Sequence, residues 1–145
     1  MATTTTNFGF DVPTSSDLVK NGATAIALLG QDIDTQFAGL TVNAQTGTTY
    51  TAVKADGLNA IVTMDNASAN TFLIPTDATY AFPTGTTLLV YMKGAGVTTI
   101  QAVTSGTTTV SSAGAVAASP VLARYKSAAC VKLAANSWIV VGAIA

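Results

Sequence analysis

The amino-acid sequence predicts a mainly β protein: an antiparallel β-sandwich, jelly-roll-like, preceded by one N-terminal amphipathic helix. Two observations predict this class. Apolar residues recur every seven positions over residues 17–40, which is typical of a helix. Residues 48–145 instead show short alternating runs separated by turn residues, which favours a sandwich or a small barrel. No helical pattern interrupts these runs, so we do not expect a parallel βαβ arrangement.

Residues 1–40 are predicted to form an N-terminal arm and a helix for oligomerisation or attachment. Phe8, Phe10 and Val12 alternate as in a short strand with one buried face. The polar residues 14–17 follow a proline and offer N-terminal caps for the helix. Gly39 is a plausible end of the helix.

The helix carries a heptad pattern. Val19, Ile26, Ile33 and Leu40 are spaced by seven, and Leu29 lies three residues after Ile26. One interpretation is a seam against sister helices, and the other is a surface helix packed on its own β-domain. The period of seven and the small residues nearby favour the first. The predicted oligomer or virion interface comprises Phe8, Phe10, Val19, Ile26, Leu29, Ile33, Phe37 and Leu40.

Residues 41–47 look like a linker, and residues 48–145 are predicted to be the β-sandwich domain. Turn signals occur at Asp56-Gly57 and in the glycine-rich segment 93–96, which we expect to close a hairpin. The predicted strands cover residues 48–53, 59–64, 71–75, 87–93, 97–103, 105–110, 121–126, 128–134 and 137–145.

The composition of the chain points to protein partners. Hydrophobic residues make up 49% of the sequence and charged residues only 9%, with a net charge of −1. So few charges leave little to keep an exposed surface monomeric, so we expect much of it to meet other chains. The scattered basic residues form no stripe for nucleic acid. No uninterrupted apolar run reaches the length of a membrane span.

Residues suited to proton transfer are scarce. The sequence contains neither His nor Glu, so a triad built on His is impossible. Asp32 and Asp34 are two positions apart on a helix and do not face each other. A loop cluster of the other aspartates could hold a hard cation, although nothing matches an EF-hand loop. We therefore expect no enzyme, no catalytic residue, no metal and no cofactor.

Two further residues have competing interpretations. Cys130 has no His to activate it and is best interpreted as a packing residue. Trp138 could be a platform for a sugar ring, but its apolar neighbours favour a core or interface position.

The N-terminal quarter resembles a known segment. The stretch "TNFGFDVPTSSDLVKNGATAIALLGQDID", residues 6–34, is similar to a segment common in tailed-bacteriophage virion proteins. The shared features are an aromatic-Gly-aromatic, a Pro-Thr, "DLV", "NGA" and a closing "ID".

The C-terminal part looks like a second phage module, found in tail-fibre and other virion-surface proteins. The matching stretches are "FPTGTTLLVYMKGAGVTTI" (82–100), a strand around Tyr125, and "AANSWIVVG" (134–142).

The resemblance implies a trimeric, non-enzymatic virion component without a cofactor. The small size of the chain favours a capsid decoration or short head fibre that contacts a major capsid protein or another virion protein. The alternative is a tail-fibre or baseplate module that binds a receptor or a host surface glycan. Either protein would be assembled in the host cytoplasm and located on the virion.

Overall fold

The computed structural model of the chain describes residues 3–5, 9–12 and 19–144. The chain divides into two compact units, Met1–Leu40 and Thr41–Ala145. The first unit contains the helix and the second is built of strands, so the predicted mainly β class with one N-terminal helix is confirmed.

The N-terminal unit consists of a short strand pair and one helix. Strand β1 (Thr3–Thr4) pairs antiparallel with β2 (Asp11–Val12). Helix α1 (Val19–Phe37) follows, and it ends two residues before Gly39, close to the predicted end. The predicted caps at residues 14–17 lie outside the described residues.

The second unit contains ten strands within the described range, and a short 3₁₀ helix over Lys54–Gly57. Nine of these strands overlap segments that the alternating pattern predicts. The tenth, β3, covers most of the segment that the sequence analysis interprets as a linker, so that interpretation is corrected for residues 41–45. The strands are β3 (Thr41–Gln45), β4 (Thr49–Thr51), β5 (Ala60–Met64), β6 (Asn70–Ile74), β7 (Thr87–Met92), β8 (Thr98–Ala102), β9 (Thr109–Ser111), β10 (Val121–Leu122), β11 (Ser127–Ala134) and β12 (Ser137–Gly142).

These strands form two mixed sheets. The larger has the order β3-β5-β7-β11-β12-β9 and the smaller has the order β10-β8-β6-β4. From β3 to β8 the chain alternates between the sheets, so successive strands of each sheet run parallel. Two consecutive strands, one in each sheet, together with their connections therefore form one turn of the chain, which we call a coil.

The prediction of a purely antiparallel arrangement is wrong. A parallel pair needs a long return connection, for which the sequence analysis considered only a helix. Here the strand of the opposite sheet provides the return path. For the same reason residues 93–97 do not close a hairpin, because β7 and β8 lie in different sheets.

The corners between the sheets stack on one another. The Asn66 side chain donates to the Thr46 carbonyl at 2.7 Å, and the Gly96 amide donates to the Asn66 carbonyl at 3.0 Å. A Cβ on Gly94 or Gly96 would overlap the backbone of Asn66 or Ser68. The glycines therefore permit this close approach, which a side chain would prevent.

The buried side chains of both sheets belong to one core. Residues of β5, β6 and β7 alternate between buried and half-buried, as a period of two predicts. The parallel register places Val62 beside Val90 and Met64 beside Met92. Trp138 is 1% exposed, so of the two predicted positions, core or interface, the structure shows the core.

One ion pair lies inside this core. The Lys132 Nζ atom donates to Asp77 Oδ1 at 2.6 Å and to the Phe82 carbonyl at 2.7 Å, and the lysine side chain is 3% exposed. The Asn136 amide donates to the second Asp77 oxygen at 3.1 Å, and the Asp77 amide donates to Asn136 Oδ1 at 2.8 Å. The pair therefore fixes the loop after β6 against the turn between β11 and β12.

Replacement of Lys132 by methionine removes the ion pair while the aliphatic stem is kept. It leaves the Phe82 carbonyl and the partly buried Asp77 carboxylate without their cation. We expect the free energy of unfolding to fall by about 2–3 kcal/mol, measured by urea denaturation.

The matched control is Lys93→Met, because Lys93 pairs with Asp65 at the surface at 2.7 Å. An exposed ion pair contributes little, so the urea midpoint of that variant should barely move. Equal losses in the two variants would show that the interior pair stabilises no more than the surface pair.

Candidate functional site

Helix α1 has two distinct stripes. Its half-buried residues recur at positions 22, 25, 29, 32 and 36, on one side of the helix. Strand β2 contacts the helix, and Phe10 lines a small depression together with Asp32, Thr35 and Gln36. This side of the helix is therefore occupied within its own unit.

The other stripe is apolar and exposed. Ile26 is 64% exposed, Ile33 42% and Phe37 79%. Leu40 is 49% exposed but follows the end of α1, so its predicted heptad position on the helix is corrected. An exposed phenylalanine and two exposed isoleucines on one helix leave apolar surface in water. These three and Leu40 belong to the predicted interface, and they form the strongest candidate site in the N-terminal unit.

The other predicted interface residues have different surroundings. Leu29 and Phe10 are half-buried, and the Phe10 amide donates to the Thr5 hydroxyl at 2.9 Å. Val19 begins the helix, but its side chain lies outside the described residues, as does Phe8 as a whole. The predicted set therefore divides into an exposed stripe and two residues that belong to the interior of the unit.

Small residues keep the helix surface open. A Cβ added to Gly22 or Gly30 would meet nothing within 4 Å. Glycine inside a helix costs about 1 kcal/mol relative to alanine. Nothing within the described part of this chain requires either glycine, whereas close approach of another helix would.

The outer face of the larger sheet carries a second apolar surface. The strand register aligns five residues across β3, β5, β7, β11 and β12 in one row. All five are exposed or half-buried, and none is charged. We call this set the outer row: Val42, Ile61, Leu89, Ala129 and Val141. An uncharged row of this kind is compatible with contact between identical chains, since no like charges would meet.

A polar network that the sequence pattern did not predict lies at the first coil. Asp56 is 1% exposed and accepts hydrogen bonds from the Tyr50 hydroxyl at 2.7 Å, from the Asn43 amide group at 2.7 Å and from the Val53 backbone amide at 2.8 Å. The sequence placed Asp56 in a turn. Its position three residues after Val53, where a carboxylate bonds back to a helix start, was the available signal.

This network raises the pKa of Tyr50 from its ordinary value of 10.0 to about 12. Burial is the largest cause, followed by the hydrogen bond to Asp56 and by the charge of that carboxylate. The network holds the end of the core closed where β3 and β4 form the sheet edges. It offers no free proton donor or acceptor for a reaction.

Three other reactive side chains of the β-unit are also committed. Burial raises the pKa of the Cys130 thiol to about 12, which disfavours the thiolate that a nucleophile needs. Asp65 and Asp77 are paired with Lys93 and Lys132. Among the described residues, no three acidic or Cys side chains come together as a metal site would require.

Comparison of the chain with family models, with curated proteins and with solved structures finds no match. In the described ranges no helix combines the length and the apolar character that crossing a bilayer requires. The candidate site therefore depends on the geometry of this chain alone.

The Tyr50 network predicts a loss of stability at alkaline pH. The pKa of Tyr50 is higher in the folded protein, so the unfolded chain loses this proton first. The stabilisation is fully present below pH 10 and is lost as the pH rises from 10 to about 12.

Urea midpoints of the wild type and Tyr50→Phe should be compared from about pH 8 to about pH 12. The wild type should be more stable at the lower end, and the difference should shrink above about pH 10. Cys130 titrates in both proteins and cancels from the comparison. If the difference between the two urea midpoints stays constant up to the highest pH, the raised pKa of Tyr50 is contradicted.

Proposed function

We propose that the chain is a non-enzymatic structural protein of a tailed-bacteriophage virion. Its most specific form is a trimeric capsid decoration or short head-fibre protein. The observation that carries the proposal is that the heptad residues Ile26 and Ile33 of α1 are exposed, although strand β2 contacts the same helix. The resemblance of residues 6–34 to phage virion proteins supplies the location and the number of subunits.

Self-association would bury the stripe. Each apolar side chain that goes from full exposure to full burial contributes about 1.5–3 kcal/mol. The exposed surface at Gly30, where an added Cβ would meet nothing, would let helices approach closely. The β-units would then be gathered around a common helical stem, as a surface projection on a particle requires.

The β-unit suits a passive role in such a projection. The shared core of the two sheets supports the finer proposal of a sandwich, although its strand pairing is mixed. The absence of His and Glu from the sequence supports a non-enzymatic role. The outer row adds a further uncharged surface for packing against other subunits or a capsid protein.

The alternative is a tail-fibre or baseplate module that binds a receptor or a glycan. Counting copies per purified particle by quantitative mass spectrometry separates the two. A decoration protein follows the number of capsid lattice positions, whereas a tail protein is present in a few copies. A few copies, confined to the tail, would reject the capsid proposal.

The stem itself is tested by the double substitution of Ile26 and Ile33 by serine. It removes two exposed apolar side chains without changing charge. We expect the mass in solution, measured by analytical ultracentrifugation, to fall from that of a trimer to that of a monomer, because the seam loses its central contacts.

The matched control is Leu28→Ser, since Leu28 is also 44% exposed but lies off the seam. That variant should remain a trimer. A wild-type monomer at micromolar concentration, or equal dissociation in both variants, would rule out the stem.

A further inference from the structure

Half of the charged side chains of the β-unit form ion pairs with one another. Residues 41–145 contain three aspartates and five basic residues. Asp56 is buried in its network, Asp65 pairs with Lys93, and Asp77 pairs with Lys132. The remaining basic residues are Lys54, which has a partner of its own, and Arg124 and Lys126.

Arg124 and Lys126 flank one tyrosine in a protruding turn. Residues 123–127 are all exposed, and neither basic side chain forms an ion pair within the described part of the chain. The Arg124 guanidinium lies 4.5 Å from the centre of the Tyr125 ring, a distance typical of a cation–π contact. Tyr125 is nevertheless 63% exposed, so much of the ring remains open to solvent.

The turn is held firmly by its backbone. The Tyr125 amide donates to the Met92 carbonyl at 2.7 Å, and the Met92 amide donates to the Lys126 carbonyl at 3.0 Å. The Lys126 amide also donates to the Ala123 carbonyl at 3.1 Å. The middle and the C-terminal end of the turn are therefore fixed to β7, and the three side chains project from an ordered base.

Tyr125 has an unfavourable backbone conformation. Its φ is +62°, in the left-handed region that bulky side chains rarely adopt. Glycine would fit there without strain. Strain of this kind is concentrated at functional sites, where the side chain is needed in place.

We propose that the Arg124-Tyr125-Lys126 turn binds an anionic glycan, a polysaccharide that carries carboxylate or phosphate groups. The tyrosine ring offers an apolar face against which a sugar ring can stack. The guanidinium and the ammonium flank it and donate charge-assisted hydrogen bonds to the anionic groups. This inference deepens the glycan-binding alternative of the proposed function by naming the turn and the class of ligand, and its binding test does not depend on whether the protein is located on a capsid.

A glycan fits the turn better than the acidic helix of a second copy. The carboxylates of α1 are Asp32 and Asp34, and Asp32 is half-buried within its own unit. A second copy would therefore offer only Asp34 as an exposed carboxylate of α1 to a turn that presents two cations and an exposed ring. A polyanionic sugar chain instead offers an anionic group and a sugar ring at every repeat unit, which matches the two cations and the tyrosine ring.

The test uses the full-length protein and two probes, polygalacturonate and poly(glycerol phosphate), with neutral dextran as the reference. Isothermal titration calorimetry should detect binding of at least one polyanion and none of dextran. Binding of only one identifies carboxylate or phosphate as the preferred group. No binding of either polyanion would overturn the proposal.

Variants locate the site. R124Q/K126Q should weaken polyanion binding about tenfold, as expected when two solvent-exposed charge interactions are lost. K126Q alone should weaken it severalfold, whereas K54Q, which removes the same charge outside the turn, should leave it nearly unchanged. Equal losses in K126Q and K54Q would show non-specific attraction and would overturn the proposal.

Tyr125→Gly separates binding from folding. Because glycine relieves the positive φ, the melting temperature should stay equal or rise while polyanion binding falls. A lower melting temperature with intact binding would assign the tyrosine a structural role. If the polyanions fail to bind but R124Q/K126Q changes the mass in solution, the turn contacts a second copy, and the glycan proposal is rejected.

Discussion

The parallel stacking of successive coils is the constraint on which the β-unit depends. Once β5 lies in register beside β3 and β7 beside β5, like positions align, and Val62 and Met64 face the same core as Val90 and Met92. Every corner must then repeat the same change of sheet. The glycines at 94 and 96 and the Asn66 side chain allow three corners to approach within backbone contact.

A stack of coils has ends, and the ends need a different chemistry from the middle. At the first coil the inward positions of β3 are Asn43 and Gln45 instead of aliphatic residues. They join Tyr50 and Asp56 in a hydrogen-bonded layer over the apolar core. Further along the chain the antiparallel β11 and β12 continue the larger sheet, and the Lys132–Asp77 pair ties their turn to the loop after β6. Polar groups that would be costly in the centre are thus satisfied at the boundaries.

These arrangements show how the few charged residues of the β-unit are used. Carboxylates in the β-unit serve buried or surface pairs, so they contribute little net field outside. What remains outside is of two kinds: apolar surface on the helix stripe and the outer row, and a small cationic turn with an exposed ring. The first kind suits large, permanent contacts between chains. The second suits a small polar ligand, and repetition on several subunits would multiply a weak affinity.

The amino-acid sequence indicates the helix and nine of the ten strands described in the β-unit, because periods of 3.6 and 2 are local properties of the chain. It also indicated that Trp138 lies in the core or at an interface and that α1 bears an apolar stripe. It did not reveal β3, since the inward positions 43 and 45 are polar and break the alternation. Strand direction was decided only by the tertiary structure, because a pattern of period 2 is the same for parallel and antiparallel neighbours. The same is true of the Lys132–Asp77 pair, whose partners are 55 residues apart in the sequence, so no local pattern encodes it. The Asp56 network and the Arg124–Tyr125 contact join residues close in sequence, but their burial or exposure depends on how the strands pack.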